Sequence, residues 1–129
     1  MNTPITHPIK NKFGMMLATK GQYNKLVSNH KKSVAIMGGV DHPPVVKWFT
    51  PDANCTWLIS ELNPKTGECF GLCDLGMGFP ELGPVYLSEI LTRKGALGLP
   101  VERDYYISLP KVPLSRYKKA SGYSIVIPA

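Results

Sequence analysis

The spacing of apolar positions changes from helical to strand-like near residue 45, and that change divides the chain into two regions. Thr19 followed by Gln22 forms a capping-box pattern that starts a helix. Tyr23, Leu26, Val27 and His30 then fall at i, i+3, i+4 and i+7, one helical face. This spacing predicts a helix over residues 20–31, with His30 as a packed member of that face. Lys31 and Lys32 suit the negative end of its dipole. Gly38-Gly39 and Asp41-His42-Pro43-Pro44 then break the pattern and predict a loop.

Past that loop the period is two. Val45 to Phe49 predicts a strand that ends in the turn Pro51 to Asn54, and Thr56 to Leu62 predicts a second. Asn63-Pro64-Lys65-Thr66-Gly67 supplies a hairpin connection to a third strand, Glu68 to Leu75. Gly76 to Pro84, with three glycines and two prolines, predicts a loop with positive φ at one or more glycines. Val85-Tyr86-Leu87 predicts a short fourth strand. Ser88 would then cap a short helix through Lys94, closed by Gly95. Arg103 to Leu109 predicts a last main strand, and Ser115 to Ala120 one or two helical turns. Tyr123 to Ile127 is apolar enough to pair at an edge. The fold class that follows is α+β: one domain, with a small antiparallel meander packed against an N-terminal helix and one or two short helices. Residues 1–15 are expected to be a flexible basic extension, and 16–129 the single domain.

Charge sharpens this picture. Residues 1–32 carry six lysines and no acid, and residues 105–129 carry four basic side chains and no acid. The segment between them carries five basic and nine acidic side chains. Basic ends around an acidic middle point to a polyanion or an acidic protein surface, or serve solubility alone. No apolar run approaches the roughly 20 residues a bilayer span requires, and the first dozen residues lack the apolar stretch of a signal peptide. The odd count of cysteines, Cys55, Cys69 and Cys73, does not suggest a disulfide framework. A cytoplasmic location without membrane attachment is the expectation.

The runs Pro-Val-Val-Lys-Trp-Phe-Thr-Pro-Asp-Ala (44–53), Thr-Trp-Leu-Ile-Ser-Glu-Leu (56–62), Phe-Gly-Leu-Cys-Asp-Leu-Gly-Met-Gly-Phe-Pro-Glu-Leu-Gly (70–83) and Gly-Leu-Pro-Val-Glu-Arg-Asp (98–104) resemble a small bacterial family, Domain of Unknown Function 2958. The resemblance covers roughly residues 16–120, and the run 70–83 is its most distinctive part. It implies an accessory protein of plasmids, phages or integrated elements. It carries over no catalytic residues.

Several constellations bear on chemistry. Cys69 and Cys73 stand four apart, so on a strand they point the same way about 13 Å apart, too far to share a zinc. They suit small buried apolar groups, and neither a metal nor a cofactor is expected. All three histidines precede Cys55, so no thiol–histidine order of a known hydrolase emerges. Asp74 and Glu81 flank the glycine loop and form the one carboxylate pair worth testing for acid–base work, with Glu61 and Glu68 as a weaker pair across a hairpin. Lys20, Tyr23, Lys25, Lys31 and Lys32, with Arg116, Lys118 and Lys119 around Tyr117, interleave bases with aromatics in a way that suits nucleobase stacking and phosphate contact. Met77, Phe79, Pro80 and Glu81 offer a stiff apolar docking loop. The expected function is stoichiometric binding, without enzymatic turnover, to a host protein or nucleic-acid-handling complex, of the anti-restriction or anti-CRISPR kind. Direct DNA or RNA binding and a small Asp74/Glu81 enzyme are the alternatives.

Overall fold

The computed structural model describes residues 3–77, 80–105, 109 and 111–117. Its centre is one five-stranded sheet in which every described pairing is antiparallel. The strands are β1 (Val46–Phe49), β2 (Thr56–Leu62), β3 (Glu68–Asp74), β4 (Glu81–Tyr86) and β5 (Glu102–Arg103), in the spatial order β4-β3-β2-β1-β5. Helix α1 (Lys20–Val34) covers one face, α2 (Leu87–Thr92) follows β4, and a single 3-10 turn spans Leu114–Arg116. The α+β architecture expected from the sequence is the one observed.

The capping box forms as its residues dictate. The Thr19 hydroxyl accepts from the Gln22 amide at 3.1 Å, and the Gln22 side chain accepts from the Thr19 amide at 2.8 Å. The buried face of α1, however, is rotated from the expected stripe and centres on Leu26 and Asn29, with His30 only half-buried. The sheet explains the rotation. The β2–β3 register shifts between Ile59 and Glu61, a bulge that leaves Ser60 without a register partner. Asn29 sits over that bulge and donates to the Ser60 carbonyl at 3.0 Å. A hydrophobic pattern cannot find a buried asparagine placed to satisfy a bulge.

On the α1 side of the sheet, Val46, Trp48, Trp57, Ile59, Leu62, Cys69 and Val85 form the main core with Leu26 and Leu17. Within residues 3–15, which are largely exposed, two side chains are buried here. Ile9 is part of this core, and the buried Asn11 side chain donates to the Val101 carbonyl at 2.9 Å. The opposite side is a smaller cluster in which Leu58 and Leu72 meet Leu114 and Tyr117.

The later elements depart from expectation for local reasons. Strand β4 begins at Glu81 and runs through Gly83 and Pro84, which read as loop residues in the sequence. It is an edge strand, where the ladder does not need the N–H that proline lacks. Leu87 is buried and opens α2 instead of closing a strand; Tyr86 precedes the helix without a side-chain capping bond, and α2 ends at Thr92, short of Lys94. The expected strand over Arg103–Leu109 reduces to the two residues of β5; residues 106–108 lie outside the described residues. The helical turns expected over Ser115–Ala120 are the 3-10 turn, which ends at an extended Tyr117. Lys118, Lys119 and the Tyr123–Ile127 tail lie outside the described residues. In the glycine loop, Gly76 takes the positive φ expected, at 79°.

Candidate anion-binding cleft

Because β5 pairs with only Trp48 and Phe49, the first half of β1, paired with β2 on one edge, has no strand among the described residues on its other edge. A cleft of about 540 Å³ opens there. Gln22 and Lys25 of α1 line it, as do the His42–Lys47 approach into β1, Asp104 just past β5, and Leu109 and Lys111 beyond. Lys47 also lines it, but alternation along β1 turns its side chain to the face opposite α1, where it is 1% exposed with its ammonium 3.6 Å from the Asp104 carboxylate, which is 22% exposed. The Asp104 amide donates to the Lys47 carbonyl at 3.0 Å, so backbone and side chains fix the pair together. Burying an ammonium is costly unless a carboxylate or hydrogen bonds compensate, and Asp104 supplies that compensation. Lys25 and Lys111 are exposed residues on the cleft walls. Beyond the Lys47–Asp104 pair, Lys25 and Lys111 leave the lining with a net positive charge.

Neighbouring groups hold the walls. His42 is buried, and its Nε2 lies 3.1 Å from the Asn29 carbonyl. Pro43 and Pro44, with fixed φ, stiffen one wall. The Arg103 guanidinium donates to the side-chain Oε1 of Gln22 at 3.0 Å and lies over the Tyr105 ring at 4.3 Å. On the α1 wheel Lys25 and Lys32, seven apart, share the flank nearest the cleft, while Lys20 and Lys31, eleven apart, point outward. Sequence reasoning grouped all four as one patch. The structure divides them, sets Lys25 beside Lys111 of the basic C-terminal segment, and adds Lys47 to the lining. Only the position of Lys47 inside a β-rich run signals it: a lysine where a half-buried strand should carry an apolar or small polar residue.

The aromatic part of the expected nucleic-acid surface is absent from it. Tyr23 donates its hydroxyl to the Ile5 carbonyl and packs beside His7, with ring centroids 6.0 Å apart. Tyr117 is 5% exposed within the smaller core cluster. Neither ring is placed to stack on a nucleobase. Arg116 is exposed on the 3-10 turn.

The docking loop is partly described. Met77 is 70% exposed, Pro80 is half-buried and Glu81 is exposed at the start of β4, while Phe79 lies outside the described residues. The carboxylate pair does not form. Glu81 stands opposite Cys73 in the β3–β4 register, so Asp74, the next residue of β3, projects from the other side of the sheet. Asp74 is buried and accepts from the Gly76 amide at 2.9 Å, a turn-forming role. Glu61 accepts from the Ser33 hydroxyl at the end of α1, and Glu68 is exposed opposite Tyr86. Among the described residues no three of His, Cys, Asp and Glu are grouped to hold a metal ion.

The two strand thiols are held neutral. Burial pushes Cys69 up to about 12, helped by Cys73 and Glu68. Burial also raises Cys73 to about 11, with Glu89 and Glu81 adding to it and Arg93 opposing. The thiolate is the nucleophile, so at pH 8 the folded protein should leave both unmodified by iodoacetamide, and both should react once it is unfolded in urea. Mass mapping of the alkylated cysteines checks this. The sign for stability follows: unfolding frees thiols that ionise near 9, so their contribution is intact below that pH and is lost as pH rises above it.

A family of proteins of unknown function, DUF2958, matches residues 17–126. The chain belongs to that family. Neither the curated proteins nor the solved structures contain a significant match. No described helix of this DUF2958 protein is long and apolar enough to cross a membrane.

Proposed function

We propose that this DUF2958 protein acts by stoichiometric binding to nucleic acid, meeting phosphates with the lysines of the cleft and of the adjacent flank of α1. One observation carries the reading: the exposed Lys25 and Lys111, from separate parts of the chain, line one open cleft whose only carboxylate among the described residues, Asp104, is paired with Lys47. Phosphate oxygens are the common biological partner of such a cluster. With Tyr23 and Tyr117 committed elsewhere, recognition is electrostatic and tolerant of sequence. The setting that fits the family resemblance is a mobile element whose product engages a host nucleic-acid-handling or defence complex.

The Lys25→Glu/Lys111→Glu double variant tests this. Both residues are exposed, so folding should be unaffected, while affinity for a labelled oligonucleotide at low salt should fall at least about tenfold, or 1.4 kcal/mol. The slope of log affinity on log salt should flatten by about one for each phosphate contact removed. Unchanged affinity and slope would refute the reading. A second reading, docking of a protein on the 75–82 end of the sheet, is favoured by the exposure of Leu75, Met77 and Leu82. It predicts that Met77→Asp abolishes capture of the partner and leaves oligonucleotide binding intact.

A further inference from the structure

Resting on that reading, we infer that the nucleic acid is single-stranded, with one unpaired base stacked on the ring of Tyr105. Tyr105 is 53% exposed, and the Arg103 guanidinium lies over its ring, 4.3 Å from the centroid. Arg103 is itself only 8% exposed and donates to Gln22 Oε1 of α1 at 3.0 Å. It stands opposite Trp48 in the β1–β5 pair, and Trp48 belongs to the core on the α1 side, so the stack sits on the α1 side of the sheet edge. With one face of the ring against a buried cation, the solvent-facing surface of Tyr105 is the other face and the rim. A ring held in this way loses little freedom when a ligand covers it.

The position of the stack joins it to the lysines of the cleft. Gln22, which anchors Arg103, lines the cleft and lies one helical turn from Lys25. Asp104, the residue before Tyr105, lines it as well. The open ring therefore stands beside a surface on which Lys25 and Lys111 are exposed. It is the aromatic contact that Tyr23 and Tyr117, committed to internal partners, do not supply. Lysines that meet phosphates beside an aromatic face that takes a base are the working parts of a single-strand site. Every base has a π-face, so such stacking is tolerant of sequence. It does require a base outside a duplex, where both faces are already covered by neighbouring pairs.

The experiment compares three labelled probes at low salt: oligothymidylate, an abasic strand of the same length and charge, and the oligothymidylate annealed to its complement. The parent protein should bind oligothymidylate at least about tenfold more tightly than the abasic strand, the order expected of one base stack. Tyr105→Ala should remove that preference and leave affinity for the abasic strand and the duplex unchanged. Tyr105→Trp, which keeps an aromatic face, should retain the preference. Lys25→Glu/Lys111→Glu should instead weaken all three probes, which separates the stack from the electrostatic contact. The comparison of thymidylate with abasic strand needs no variant, so it holds whether or not Tyr105→Ala folds. Equal affinity of the parent for those two strands overturns the inference and leaves electrostatic binding standing. So does a loss in Tyr105→Ala that is the same for all three probes. Binding of no probe by the parent overturns both readings.

Discussion

Trp48→Ala should lower the unfolding free energy by about 4 kcal/mol, within the range typical of deleting a buried aromatic side chain. Trp48 is 1% exposed and stands opposite Trp57 in the β1–β2 pair, under the N-terminal segment. Its indole Nε1 donates to the Leu17 carbonyl at 2.7 Å. The substitution therefore opens a cavity between β1 and the chain above it and also strands a buried carbonyl. A domain of this kind has roughly 5–15 kcal/mol in total, so the variant should melt far below the parent or fail to accumulate. Trp48→Phe separates the two effects: it retains most of the apolar volume and loses the hydrogen bond, and should cost about 1–3 kcal/mol. Thermal melts of the three proteins measure both numbers. A loss below 1 kcal/mol for the alanine variant would show that the N-terminal segment does not depend on this ring.

The second large effect is expected at Gly71. A Cβ added there would lie 2.2 Å from the Leu58 carbonyl oxygen and 2.8 Å from Ile59 Cδ1. Neither a carbonyl inside a β ladder nor the side chain of a fully buried isoleucine can swing away. Gly71→Ala must push β2 and β3 apart beside the Ser60 bulge, and should cost about 3 kcal/mol, at the upper end of ordinary overpacking. Its cross-strand neighbour Gly83 is the control. A Cβ there meets nothing within 4 Å, so Gly83→Ala should change stability by no more than about 0.5 kcal/mol. Urea midpoints at constant m-value decide the comparison. Equal effects at the two positions would refute the account of the strand approach.

What the sequence disclosed and what it hid divide along a physical line. The Thr19 cap and the meander from Val46 to Asp74 depend on neighbours in the chain, and local periodicity records them. Strand β4 was hidden because Gly83 and Pro84 mark turns in most settings, and only its place at the sheet edge makes them harmless. Tyr117 was misjudged because basic neighbours resemble a stacking platform, while its burial is decided by Leu58 and Leu72, far back in the chain. The cleft was invisible for the same reason. Nothing in the run Val-Val-Lys-Trp-Phe tells that Lys47 will lie beside Asp104, since that contact depends on where β5 stops.

The pairing of β1 with β5 has a consequence in time as well as in space. Strands β1 to β4 are joined by short connections and close cheaply, one hairpin after another. Joining Trp48 to Arg103 requires closing a loop that contains β2, β3, β4 and α2. Contacts so distant in sequence form late when loop entropy sets the order of events. The cleft needs residues from α1, β1 and the chain beyond β5, so a nascent or partly folded molecule can hold most of its sheet and still have no site. The cleft is then completed with the last step of folding, and a ligand that filled it would stabilise only the finished molecule.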